Sequence, residues 1–328
     1  FEGFGRAASK QKWLEAHGIE HWTHFYTDYG VNLQKRFFAH FLKGEKNGWD
    51  QQPKVQLQVR HPERFEERHE NEWPLARTQW TKYYLQIERE PSSDPHAAEG
   101  TFATTPPAKA AKLSYSASGV TKAGVASGSS LSTTHGNVGR SGVSFETPVM
   151  TEDMEITGPM AAKLFVSSST SDADLFVIVR VFDPAGRELT FMGSTDPNTP
   201  IANGWLRASH RRLDAAKSQP YRPYHPHDRA EPLTPGEVYE CEVEIVTSCI
   251  VVPAGWRIAL TVRGKDYEYA GEIAELDFFK NSKLKGVGIY THANPQLRPA
   301  DLYGGTTMLH TGGKSGAYVL LPVMPARN

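Results

Sequence analysis

Tyr239-Glu240-Cys241-Glu242-Val243-Glu244-Ile245 decides the fold class. Apolar and acidic residues alternate without a break, so Tyr239, Cys241, Val243 and Ile245 share one face while Glu240, Glu242 and Glu244 share the other. That is the pattern of an antiparallel strand with one side on a core and one toward water. The period of two returns in Arg257–Arg263 through Ile258, Leu260 and Val262, and in Tyr83–Ile87 through Tyr83, Leu85 and Ile87. Leu175–Phe182 is denser in β-branched and aromatic residues, as a strand buried on both faces would be, and Asp183-Pro184-Ala185-Gly186 supplies the turn after it. Tyr318–Leu321 reads as a final strand stopped by Pro322. From Val55 onward the intervals are filled by Gly, Pro, Asn and Asp, with almost no helical periodicity. The expectation is a mainly β protein, a sandwich or jelly roll. Ser114–Ser130 reads as a long surface loop, and about Gly193 to Pro235 as the other long irregular segment.

Residues 1–50 differ in character and read as alternating helix and strand. Lys12–Ala16 is a short strand candidate ending at His17-Gly18, followed by a loop rich in aromatics. From about Val31 to Lys43 the spacing is helical, with Leu33, Phe37, Phe38, Phe41 and Leu42 on one side and Gln34, Lys35 and Lys43 mostly on the other. Gly44 is a good stop, and Lys43 suits the helix dipole. One strand and one helix make no core, so this piece must pack on something else.

The 328 residues carry 36 Lys+Arg against 37 Asp+Glu, a formal charge of −1, which offers no field for nucleic acid or anionic lipid. No apolar run approaches the roughly 20 residues that cross a bilayer, so a soluble protein is expected. Cys241 and Cys249 lie in one strand, too far apart along it to pair, which favours a reducing, cytoplasmic setting. The chain starts at Phe1 rather than Met, so the expectation is that its true N-terminus lies upstream.

His17 and His21 are the imidazoles of most interest, because a histidine leaving a strand can offer a ring nitrogen to a nucleophile on a neighbouring turn. Trp22, Phe25 and Tyr26 beside them could wall a pocket, although aromatic clusters are more often core. A nucleophile is missing: no Gly-x-Ser-x-Gly elbow occurs, and neither Ser127–Ser130 nor Ser167–Ser169 has the flanking glycines. His225-Pro226-His227-Asp228 groups metal-binding residue types, yet its Pro-rich setting reads as an ordered loop, and no metal or cofactor is expected. Trp205–Asp214 carries Arg207, His210, Arg211 and Arg212, suited to an anion but read as holding carboxylates across an interface. Asp172 and Asp174 fit an Asx turn entering a strand, with calcium as the other use of such oxygens.

Lys12-Trp13-Leu14-Glu15-Ala16-His17-Gly18, Gln34–Phe38 and His40–Gly44 resemble the end of the catalytic domain in the X-Pro dipeptidyl-peptidase and cocaine-esterase-type serine hydrolases. Asn71–Leu75, Gly158–Ser169, Asp172-Ala173-Asp174, Trp205–Asp214, Pro235–Glu237 and Tyr303–Thr307 resemble that family's C-terminal jelly roll. The resemblance implies a jelly-roll β-sandwich over 51–328, preceded in 1–50 by the last strand and helix of an α/β-hydrolase domain. It implies a Ser-His-Asp acyl-enzyme mechanism on a small ester, amide or X-Pro peptide, with Ser and Asp upstream and the missing N-terminal catalytic domain as partner. His17 would be the catalytic base. His21 is its alternate, since relatives ending Gly-Pro-Trp-x-His place the histidine about four residues later. The short chain alone would then be inactive, and an oligomer is possible. The alternative is a stand-alone β-sandwich that binds carbohydrate or a protein partner.

Overall fold

The computed structural model describes residues 1–18, 21–88, 98–117, 142–193, 196–271, 284–288 and 291–326, except for the side chain of His21. The chain begins with α1 (Glu2–Arg6), β1 (Leu14–Ala16), α2 (His21–Tyr26) and α3 (Asp28–Lys43). The strands that follow are β2 (Val55–Arg60), β3 (Phe65–Glu70), β4 (Gln79–Ile87), β5 (Gly100–Ala103), β6 (Ala111–Ser116) and β7 (Gly142–Glu146). Next come β8 (Met154–Ser168), β9 (Asp174–Phe182), β10 (Ala202–Arg207), β11 (Tyr239–Val252) and β12 (Arg257–Arg263). The short helix α4 (Ala300–Tyr303), β13 (Thr306–Thr311) and β14 (Tyr318–Val323) complete it. The protein is mainly β, as its alternation requires.

The strands form one large sheet in the order β1-β2-β11-β8-β14-β4-β5-β7-β12-β9-β10, with β3 on β2 and β13 between β8 and β6. One apolar cluster collects inward side chains from β4 through β14, among them Leu85, Phe145, Leu164, Val179, Leu260 and Leu321. The core is therefore continuous across the strand-rich region. The glutamate-alternating segment pairs antiparallel with β8, burying Cys241, Val243 and Ile245. Between Ile245 and Ser248 the register slips by one residue, a bulge that moves the buried set from odd to even positions, so Ile250 and Val252 still point inward.

β9 is buried along its whole length, as its composition predicts. Leu175, Val177, Val179 and Val181 enter the main core, while Phe176 and Ile178 pack on the other side against Tyr267. Arg180 on that outer side is paired bidentately with Glu188, Nε to Oε1 at 2.9 Å and Nη2 to Oε2 at 2.6 Å. The turn after the strand closes with the Gly186 N–H donating to the Asp183 carbonyl at 2.9 Å.

Four expectations need correction. Tyr318–Leu321 does not stop at Pro322, because β14 runs to Val323. The ladder from β14 to β8 is interrupted between Leu320 and Val323, so the N–H that proline lacks is not needed there, and the Pro322 ring lies where a Cβ on Gly158 would be. The aromatic stretch expected as a loop after Gly18 contains α2. The segment from Gly193 to Pro235 contains β10, which closes the far end of the sheet against β9. Of the long loop expected at Ser114–Ser130, Ser114–Ser116 belong to β6 and 118–130 lie outside the described residues.

β10 also approaches the free side of β11. A Cβ on Gly204 would stand 2.1 Å from the Glu244 carbonyl oxygen, an unyielding backbone atom. Gly204→Ala is therefore expected to lower stability by about 1–3 kcal/mol through overpacking, read as a lower urea midpoint at unchanged slope. An unchanged midpoint would mean that the two strands do not meet this closely.

A candidate acid-base site on the first strand

β1 pairs in parallel with β2 and has two differently used faces. Leu14 and Ala16 pack onto a cluster of Val55, Leu57, Val59, Trp73, Leu75 and Met324. Trp13, Glu15 and His17, at the alternate positions, meet the helices and their connections. Trp13 sits edge-on to Phe37, Phe41 and Trp49. Thr27 caps α3 by accepting the Gly30 N–H at 3.1 Å, and a Cβ on Gly30 would collide with the His24 carbonyl, so glycine lets α2 and α3 meet tightly. Gly44 ends α3 in the left-handed region at φ 70°, as expected.

His17 leaves β1 where the Gly18 N–H donates to Gln58 Oε1 at 2.9 Å. The Phe65 ring occupies the place of a Gly18 side chain, so this exit is fixed by packing as well as by that bond. The His17 ring stacks on His24, with centroids 4.1 Å apart and planes 18° from parallel. His24 Nε2 lies 2.7 Å from Glu15 Oε1, and both side chains are largely buried. Tyr29 packs 5.2 Å from His24, and its hydroxyl accepts from Gln56 Nε2 at 3.2 Å. Burial, with Glu15 and Glu67 nearby, pushes the Tyr29 hydroxyl up to about 12, so it stays protonated. Two stacked imidazoles, a carboxylate and a phenol can accept, hold or pass a proton here.

His24 was not singled out in the sequence. Its partner Glu15 is nine residues away across a change of direction, and no short motif encodes that pairing. His21 heads α2, and its side chain lies outside the described residues. Trp22, Phe25 and Tyr26 do not form core: Phe25 is 51% exposed and Tyr26 75%. Phe38 and Leu42 of α3 are exposed as well, at 54% and 77%. A groove of about 890 Å³ continues this apolar surface between α3 and the N-terminal segment, lined by Phe4, Lys12, Trp13, Phe25, Phe37 and Phe38 among others.

The remaining sequence candidates resolve into structural roles. Asp172 Oδ1 accepts the Ala173 and Ser209 N–H groups at 2.9 Å, and its Oδ2 accepts the Ser209 and Tyr303 hydroxyls. Asp174 binds Arg207 and Arg298. Arg211 donates to the Ala208 carbonyl at 3.1 Å and also reaches Glu231, while Arg212 pairs with Asp228. The carboxylates held by Trp205–Asp214 thus lie within this chain. His225 spans the carbonyls of Arg212 and Glu242, and His227 Nδ1 faces His210 Nδ1 at 3.1 Å. Among the described residues no three ligating side chains gather as a metal site.

Ser167 Oγ lies 2.9 Å from His310 Nε2, but Ser167 is buried between strands. Burial and Lys112 hold that imidazole below its ordinary value. Both cysteines are free, and burial pushes Cys241 up to about 12 and Cys249 up to about 11, so neither is a ready nucleophile.

Residues 47–319 match the family described as the X-Pro dipeptidyl-peptidase C-terminal non-catalytic domain. The chain belongs to this family. His17 and Glu15 precede the matched residues. The cocaine esterase of Rhodococcus sp. (strain MB1 Bresler) is 25% identical over 90% of this chain and 46% of its own length. A CocE/NonD family hydrolase from Staphylococcus aureus, known from its crystal structure, superposes with a TM-score of 0.76 at 28% identity, over 99% of this chain and 51% of that one. An α-amino acid ester hydrolase, at a TM-score of 0.55 and 17% identity, shares the fold. The chain spans about half the length of the first two relatives, 46% and 51%. It corresponds to the C-terminal β part of the CocE/NonD-type hydrolases.

Proposed function

We propose that this chain is the C-terminal part of a serine hydrolase, in which residues 1–50 complete a catalytic domain and 51–328 buttress it. The observation that carries the reading is the position of His17, fixed at the exit of β1 and joined through His24 to α2 and α3, whose aromatic side chains are exposed. An apolar surface of that kind marks an interaction site. The match to about half of each hydrolase relative supplies a body to cover it.

In this reading the catalytic serine and aspartate are contributed by the upstream polypeptide. The serine hydroxyl gives its proton to His17 as Oγ bonds to the substrate carbonyl carbon, and the imidazolium returns that proton to the leaving alcohol or amine. Water, deprotonated by the same imidazole, then releases the acid and frees the serine. Esters are the first substrates to try, because relatives are named as esterases and an ester hydrolase. The alternative, a free-standing binder of carbohydrate or a protein, calls for exposed aromatics clustered on a sheet face or loop end; there Trp205 is exposed but Phe176 beside it is buried, whereas Trp22, Phe25, Tyr26 and Phe38 are exposed together on the helices.

Purified residues 1–328 are expected to hydrolyse 4-nitrophenyl acetate no faster than buffer, while a polypeptide extended upstream turns it over. Steady turnover by the short chain, or none by the extended one across a panel of esters and X-Pro amides, would overturn the proposal.

A further inference from the structure

The seam where β10 approaches β11 encloses a second cavity, of about 370 Å³, whose lining includes Phe176, Asn203, Trp205, Glu244, Asp266 and His292. It is within the size range of small-molecule sites. Among the described residues, none that lines it is Lys or Arg. Trp205 is 42% exposed, and its ring lies 4.5 Å from that of His292 and 6.2 Å from that of Phe176.

The two carboxylates are in different states. Asp266 is engaged by His292, accepting its backbone N–H at 2.6 Å and lying 2.8 Å from its ring Nδ1. Glu244 stands at the rim, where desolvation raises its carboxyl above the usual carboxylate range against the pull of Arg222. Arg222 is itself paired with Glu2. Arg298, which lies over Phe176 at 5.2 Å, donates to Asp174, His292 and Gly264. The nearby guanidiniums therefore have partners of their own, and the aromatic wall already attracts one cation.

We infer that this cavity binds an alkylammonium group, with Trp205 offering its ring and Glu244 its negative charge. Aromatic faces attract organic cations, and a carboxylate at the mouth adds selectivity for charge over shape. A free quaternary amine and a lysine side chain share this chemistry.

The test follows the Trp205 indole N–H by ¹H–¹⁵N NMR, assigned by its loss in Trp205→Phe. Titrations use choline, N-acetyl-lysine amide, the neutral choline isostere 3,3-dimethylbutan-1-ol, and methyl glucoside. Choline or the lysine amide is expected to shift the indole signal with an affinity about tenfold above the neutral isostere, and whichever of the two binds more tightly identifies the source. Glu244→Gln, on a rim position, should retain a folded spectrum and lose about tenfold in that affinity. Equal binding of the isostere, preference for methyl glucoside, no shift with either cation, or undiminished binding by folded Glu244→Gln would each overturn the inference.

Discussion

His17→Ala, introduced into a polypeptide that includes the upstream catalytic part, is expected to lower kcat for an activated ester by about 10⁴–10⁶-fold. The cost is large because the serine is a weak nucleophile until a base takes its proton, and no other group can replace a base held in place. KM should change little, since the imidazole acts on the reacting atoms and not on the remote parts of the substrate. A purely structural role predicts something else. The His17 ring stacks on His24, so a packing defect would lower the unfolding midpoint along with activity. The decisive pattern is a collapsed kcat with an unchanged melting transition. If His17→Ala keeps its turnover and His21→Ala loses it, the base belongs at the head of α2.

Asp174→Asn is expected to destabilise the fold by about 3–5 kcal/mol. The Asp174 side chain is 0% exposed and balances two guanidiniums, Arg207 Nε at 2.9 Å and Arg298 Nε at 2.7 Å. The amide is nearly isosteric, so the packing survives while the charge is removed. Arg298, with 13% of its side chain exposed, is then left largely desolvated, whereas Arg207, at 26%, can turn partly toward water. The same carboxylate ties the start of β9 to the end of β10 and to the segment before α4, so its loss loosens three parts of the chain together. Urea unfolding gives the measurement, and a loss below about 1 kcal/mol would mean that the guanidiniums find other partners or water.

Where the local pattern is strong, the sequence shows the fold plainly. The glutamates of Tyr239–Ile245 can face only one way, and the β-branched run of β9 can only be buried. β10 was hidden because Asn203 and Gly204 look like turn residues, although the glycine is there for close approach to β11. Pro322 looked like a stop because an interrupted ladder cannot be seen in one strand alone. At the candidate site, the histidine leaving β1 was legible from its position before a glycine. The Glu15–His24 pair was not, because it depends on how α2 folds back along β1. Aromatic residues in 22–42 are ambiguous in a sequence, since the same rings serve a core or a docking face, and only their exposure in the fold separates the two.

The one-residue slip in β11 has a bearing on how this chain can evolve. Removing a single residue between Ile245 and Ser248 would erase the bulge and leave Ser248 opposite Gly158, with Ile250 and Val252 still pointing inward. Removing two would turn the second half of the strand over, bringing Cys249 and Val251 to the inside and Ile250 and Val252 to the outside. Descendants that have lost the one bulge residue should therefore keep this core, whereas those that have lost two should not.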